Sequence, residues 1–144
     1  MKGFRLYERE AHYYETDQMG VIHHSNYIRW MEEARIYFLD QLGISYRKME
    51  ESGIISPVVE VYGKYRQPVH YGDTVLIDME IKQFNGIKMM ISYEIMDKET
   101  KQVRFTGESK HCFLNEKGIP VSLKKAAPRI YEILLAEYKL NGGE

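Results

Sequence analysis

Between Tyr13 and Tyr27 the chain reads Tyr-Tyr-Glu-Thr-Asp-Gln-Met-Gly-Val-Ile-His-His-Ser-Asn-Tyr. This places a carboxylate (Asp17), a turn-forming Gly20 and two imidazoles (His23, His24) just ahead of an amphipathic segment. If that segment is a helix, its start offers backbone N–H groups with no partner inside the helix, together with the positive end of the macrodipole. Donors so placed stabilise an oxyanion developing on a carbonyl, while a nearby carboxylate activates water or attacks directly. Residue types alone also allow a plainer reading. Asp before Gly commonly forms an Asx turn or a helix cap, and His24 could cap the helix and do nothing more.

Other side chains carry less. Cys112 could be a thiol nucleophile, but its neighbour His111 projects to the opposite face of a strand and cannot serve it. The adjacent His23 and His24 invite a metal, yet a third ligand such as His12 would have to converge and no ligand spacing is visible, so no metal is expected. Gly20 is expected to free the backbone of the loop. Ser25 is an attractive N-cap, Asn26 and Tyr27 are expected to fix and pack the helix start, and Glu32, Glu33 and Arg35 form a solvated or ion-paired face.

The elements that must hold these residues follow from hydrophobic period. A first strand is expected within 4–14. A helix is expected from about Asn26 to Leu42, with Tyr27, Trp30, Met31, Ala34, Phe38 and Leu42 at helical spacing, Arg29 spaced to pair with Glu33, and Gly43 as a left-handed stop. After a helical turn at 46–51, period-two segments recur: Val59, Val61, Gly63, Tyr65; then Val75, Ile77, Met79, Ile81; then Ile87, Met89, Ile91, Tyr93, Ile95; then Val103, Phe105, Gly107. Asn85-Gly86 is a strong hairpin signal, so antiparallel pairing is expected. A last helix is expected from Pro128, burying Ile130, Ile133, Leu134 and Tyr138. One long apolar helix followed by strands with one apolar face each requires a sheet curled around the helix, an α+β arrangement.

Composition bounds the rest. The 144 residues, 44% hydrophobic, suit a single domain spanning 1–144. A formal charge of -1 gives no global field to recruit nucleic acid, and none is expected as a partner. One Cys excludes an internal disulfide framework. With no signal-peptide run and no stretch of membrane-span length, the expected address is cytoplasmic.

The run Tyr-x-Glu-Thr-Asp-x-Met-Gly-Val-Ile-x-His-x-Asn-Tyr, followed by Met31-Glu32-Glu33-Ala34-Arg35, resembles the signature of the 4-hydroxybenzoyl-CoA thioesterase family of hotdog-fold enzymes. The likeness continues through Tyr65-Arg66-Gln67-Pro68 and Tyr71-Gly72-Asp73. His23 departs from the aromatic residue usual at its position. The resemblance implies a hotdog fold and hydrolysis of an acyl-CoA thioester without a cofactor. It implies Asp17 as general base or nucleophile, and His24, by side chain or backbone N–H, at the thioester carbonyl. Gly20, Val21, Ile22, His23 and Tyr27 would contact substrate. The pantetheine arm would pass between protomers beside Ile55, Pro57 and Val58 of the partner, in a homodimer or homotetramer joined sheet edge to sheet edge. In another hotdog branch the catalytic Glu lies on the central helix, which makes Glu32 or Glu33 a reserve candidate. Lys64, Arg66, Lys82, Lys88 and Lys110 could form a basic rim for CoA phosphates. Alternatives are an acyl carrier protein thioesterase, a hotdog hydratase or dehydratase, and a noncatalytic acyl-CoA-binding protein.

Overall fold

The structure is a computed structural model that describes residues 6–143. Five strands, β1 (Tyr7–Glu10), β2 (Val58–Tyr65), β3 (Thr74–Phe84), β4 (Lys88–Asp97) and β5 (Val103–Cys112), make one antiparallel sheet in the order β1-β3-β4-β5-β2. The helices are α1 (Ser25–Gln41), α2 (Tyr46–Glu51), α3 (Leu123–Ala126) and α4 (Pro128–Leu140).

The period that predicts α1 also decides what it buries. Tyr27, Trp30, Met31, Ala34 and Phe38 are shielded from solvent and share one core with Val75, Ile77, Ile81, Ile91, Ile95 and Phe105 of the sheet. Gly43, at φ +86°, supplies the left-handed residue that ends the helix. The β3–β4 hairpin turns at Asn85-Gly86, where Asn85 Oδ1 accepts the N–H groups of Ile87 (2.9 Å) and Lys88 (2.8 Å) and Gly86 has φ +86°. Register shifts at Ile81/Gln83, Ile95/Met96 and Val58/Glu60 bend the strands, so the sheet wraps α1 as the sequence requires. Pro128 opens α4, whose Ile130 and Leu134 close the core at the far end.

Several expectations need correction. The first strand is confined to Tyr7–Glu10, and 13–15 is a single 3-10 turn, while Phe4 lies outside the described residues. Ile87 belongs to the β3–β4 turn and is exposed, because the Asn85 cap places it outside the ladder. Tyr27 and Trp30 face this chain's own core, and the Tyr37 ring lies tilted against Tyr7 with centroids 5.4 Å apart. Strand β2 does not bury one face: all eight residues are exposed, since it is the sheet edge beyond β5. Among the described residues no helix is long and apolar enough to cross a membrane.

Candidate active site

The signature loop is built on Glu15. Its carboxylate, buried at the base of the loop, accepts Arg9 Nη1 (3.0 Å) and Nη2 (2.9 Å), Trp30 Nε1 (3.0 Å) and the His12 N–H (2.9 Å). Its carbonyl accepts the His23 N–H (2.8 Å) and Asn26 Nδ2 (2.9 Å). One residue thus ties β1, the loop and the start of α1 together. Burial pushes the Glu15 carboxyl up, but the donors from His12, Trp30 and Arg9 outweigh it and hold the group below the usual range. Arg9 continues to Glu33, Nε to Oε1 at 2.8 Å, and Tyr7 donates to the same carboxylate at 3.0 Å. Glu33 therefore turns to β1 instead of pairing with Arg29 along the helix, because a carboxylate already facing a half-buried guanidinium gains more there than at an exposed i,i+4 position.

From this base the chain makes a small hairpin bridged at Thr16 and Ile22. Asp17 N–H donates to Val21 O (2.8 Å), Gly20 N–H to Asp17 O (3.1 Å), and Ile22 N–H to Val69 O (2.8 Å). Gly20 sits at φ +78°, a conformation costly for any residue with a Cβ. Asp17 is half-buried at the hairpin tip, and its Oδ1 accepts the Met19 N–H at 2.8 Å, so it does form an Asx turn. Among the described residues Oδ2 has no hydrogen-bond partner. The tip carries an apolar rim of Tyr13, Tyr14 and Met19, each more than 70% exposed.

The helix start lies one step further. Ser25 is not the cap. It is the first helical residue, its Oγ bonds His23 Nδ1 at 2.9 Å, and its N–H donates to the same ring nitrogen at 3.2 Å. The His23 ring thus satisfies one orphan donor of the helix, a role its departure from an aromatic residue permits. His24 occupies the cap position with its exposed ring stacked on His23 (4.1 Å), its carbonyl accepting from Tyr65 Oη (2.9 Å), and no hydrogen-bond partner for its N–H among the described residues. A carboxylate oxygen and a helix-start N–H are therefore both uncommitted on one loop. A free carboxylate oxygen can activate water, and a helix-start N–H can receive the oxygen of a carbonyl under attack.

The remaining candidates are placed as follows. Ile22 and Tyr27 are buried, Tyr27 packing on Phe105 (5.2 Å) and Tyr65 (5.1 Å) and accepting the Val69 N–H, and burial raises its phenol above the ordinary range. Val21 bridges His70. Pro57 and Val58 stand at the opposite end of β2 from Tyr65, roughly 23 Å away at about 3.3 Å per residue, so within one chain they do not meet Asp17. Glu32 is exposed and Glu33 is engaged by Arg9. Lys82 pairs with Glu80 and Lys110 with Glu60, while Arg66 donates to Thr106 Oγ1. His12 stacks on Tyr14, and no three His, Cys, Asp or Glu side chains among the described residues converge as metal ligands. Cys112 is a half-buried free thiol.

Two features escaped the sequence reading. Glu15 and Arg9 organise the loop, and the only sequence signal was a Glu inside the motif; their pairing crosses from strand to loop. A second buried polar chain runs beneath α1: Arg35 Nη1 donates to Tyr93 Oη (3.0 Å), Tyr93 Oη lies 2.6 Å from Ser109 Oγ, and Ser109 Oγ lies 2.8 Å from His111 Nε2. An apolar cavity of about 400 Å³ adjoins it, walled by Arg35, Ile36, Leu39, Met49, Ile55 and Met89 among others. Asp17 and His24 do not line this cavity.

Known proteins resemble this chain in sequence and fold. The chain is 38% identical over 122 residues to YneP of Bacillus subtilis, whose name provisionally assigns it acyl-CoA thioesterase activity, covering 84% of this chain and 88% of that protein. It is 26% identical over 109 residues to a 1,4-dihydroxy-2-naphthoyl-CoA hydrolase of Thermosynechococcus vestitus, covering 75% of each. Its fold superposes on the crystal structure of a DHNA-CoA thioesterase from Staphylococcus aureus with a TM-score of 0.90 and 33% identity, covering 95% of this chain and 92% of that one. Residues 12–132, which run from the signature loop through the sheet into α4, match the family model described as the thioesterase-like superfamily, and the chain belongs to that superfamily.

Proposed function

We propose that this protein hydrolyses acyl-CoA thioesters to the free acid and CoA, with Asp17 as general base or nucleophile and the His24 N–H as oxyanion donor. The observation that carries the reading is the uncommitted pair at the signature loop, Asp17 Oδ2 and the His24 N–H, held by the Glu15 network on a chain of the thioesterase-like superfamily. The naming of its relatives for acyl-CoA and naphthoyl-CoA hydrolysis supports the substrate class. The roles given to Asp17 and His24 come from the signature's likeness to the 4-hydroxybenzoyl-CoA thioesterase family. In the general-base form, Asp17 takes a proton from water as the oxygen adds to the thioester carbon. The carbonyl oxygen takes up negative charge against the helix-start N–H. Collapse of the tetrahedral species then expels the CoA thiolate.

The exposed edge β2 supports a working unit of two copies. Antiparallel pairing of two β2 strands would set the Val58 end of one against the Tyr65 end of the other. Pro57 and Val58 of the partner subunit would then reach the His24 corner and border the pantetheine path, with residues 1–144 acting as one hotdog unit in the cytoplasm. The test is a thiol-release assay over short, long, branched and aromatic acyl-CoAs with wild type and Asp17→Asn. The amide keeps the Asx turn, so folding is expected to persist while turnover falls roughly 10² to 10⁴-fold. Wild-type rates from folded Asp17→Asn would reject the assignment.

A further inference from the structure

We infer that Arg104, backed by Asp97, is a positioning residue for the Asp17 carboxylate, acting through the segment 66–70 that joins the sheet to the signature hairpin. The inference deepens the reading above and rests on it. Arg104 has no partner in the β4 ladder, because Phe105 pairs with Ile95 and Val103 with Met96, which leaves Arg104 as the extra residue of a bulge. A bulge re-aims the side chain it carries. Here the guanidinium is directed to two acceptors: Nη1 donates to Pro68 O at 2.8 Å and Nη2 to Asp97 Oδ2 at 3.2 Å. The Arg104 carbonyl accepts the N–H groups of Arg66 (2.8 Å) and Gln67 (3.1 Å), so one residue grips the segment by main chain and side chain.

Asp97 fixes where that guanidinium can go. Its Oδ1 accepts the N–H groups of Glu99 and Thr100, both at 2.9 Å, so the carboxylate is held by the β4–β5 turn. The Thr100 N–H foremost, with the Glu99 N–H and the Arg104 charge, keeps the Asp97 carboxyl below its ordinary range, and it faces Arg104 ionised. Both side chains are largely buried, 12% exposed for Asp97 and 14% for Arg104, so the pair is little screened by water. Arg104 Nε is buried without a hydrogen-bond partner among the described residues, and the two Nη contacts therefore set the place of the guanidinium.

From Pro68 the connection to the hairpin takes one residue. Val69 O accepts the Ile22 N–H (2.8 Å), the Val69 N–H donates to Tyr27 Oη (3.3 Å), and His70 bridges Val21. Val21 O in turn accepts the Asp17 N–H at 2.8 Å. The Pro68 ring fixes its φ and Val69 is 1% exposed in the packed core, so a shift at Pro68 O passes on to the hairpin. Burial foremost raises the Tyr27 phenol, and the Arg104 and Asp17 charges act on it with opposite sign, which puts this ring within electrostatic range of both. Among the described residues the Asp17 side chain is held only by the Met19 N–H of its own turn, so the direction of its free oxygen follows the seating of the hairpin. A displacement of about 1 Å at a reacting group costs roughly 10²-fold in rate.

The test measures kcat and KM for the acyl-CoA that wild type cleaves fastest, in Arg104→Lys, Asp97→Asn, Asp17→Asn and each double variant with Asp17→Asn, with thermal unfolding as a check on folding. Lysine has one ammonium and cannot hold Pro68 O and Asp97 together as the guanidinium fork does. Asp97→Asn keeps the Oδ1 acceptor of the turn and turns an amide N–H toward Arg104, which removes the pairing. Arg104→Lys and Asp97→Asn are each expected to lower kcat roughly 10-fold with KM changed less than about twofold. In the Asp17→Asn background, read with enzyme in excess, the same changes cost less than about twofold further, since they act through a carboxylate no longer there. Amide exchange in Arg104→Lys is expected to quicken in residues 17–22 and 66–70 and to stay at the wild-type rate in α4. An equal loss with and without the Asp17 carboxylate, an unchanged kcat in both variants, or exchange that quickens equally in α4 overturns the inference while thioester hydrolysis stands. Wild-type rates from Asp17→Asn, or no CoA release from any acyl-CoA by wild type, overturn the site reading and this inference together. Should Arg104→Lys not fold, Asp97→Asn decides in both measurements. Should the Asp17→Asn rate be too small to divide, the exchange pattern decides.

Discussion

Glu15 shows how one buried carboxylate can matter more to a site than the residues that face substrate. Its four donors come from β1, the loop backbone and α1, so its removal frees three elements at once. A buried pair is a poor source of net stability, but losing one partner leaves the other charged and underpaired. Glu15→Gln is expected to cost about 3 kcal/mol in chemical denaturation. It should also flatten the acid limb. Because the folded carboxyl titrates below its ordinary value of 4.5, its stabilisation is complete above that value and is lost as pH falls through the lower folded value. Wild type should therefore lose stability more steeply than Glu15→Gln below about pH 4.5, and parallel profiles would count against this role for Glu15.

Among the elements, the joint between β2 and β5 decides how the sheet supports the helix start. Gly63 and Gly107 face each other across these strands, and the Phe105 ring lies over both. A Cβ at Gly63 would meet that ring at 2.6 Å, and one at Gly107 would meet the Tyr62 carbonyl oxygen at 2.8 Å. Phe105 in turn packs on Tyr27 and Tyr65, and Tyr65 holds the His24 carbonyl. Gly107→Ala must move backbone as well as the ring, so a loss of about 1–3 kcal/mol is expected, with a lowered thermal midpoint and a lower kcat as the helix start shifts. An unchanged midpoint would mean that the strand relaxes freely, and the glycines would then have no packing role.

For the whole molecule the exposed edge is the governing feature. Val58, Val59, Val61, Tyr62 and Tyr65 give β2 an apolar, unpaired flank of a kind that isolated chains rarely present. A second copy of the same strand would cover it. Val61→Lys, with a charge set on that edge, is expected to move dimer dissociation in sedimentation to concentrations roughly 10-fold higher or more, about 1.4 kcal/mol, and thioester turnover should fall in step with the dimer fraction. Full turnover from a monomeric variant would show that each chain carries a complete site.

What the sequence by itself determined is local. Helical period set α1 and α4, alternation set β3 to β5, and Gly20, Gly43 and Asn85-Gly86 marked turns whose backbone only such residues adopt at low cost. The ordered signature located the loop and its acid because those residues are neighbours along the chain. Tertiary structure alone decided the pairings across elements: Glu33 with Arg9 instead of Arg29, His23 instead of Ser25 at the helix start, and Arg35 with Tyr93 fifty-eight positions away. It also decided that β2, which alternates like a buried strand, lies at an open edge. Propensity and period act over a few residues, whereas burial and hydrogen-bond direction are settled only when distant segments pack against one another.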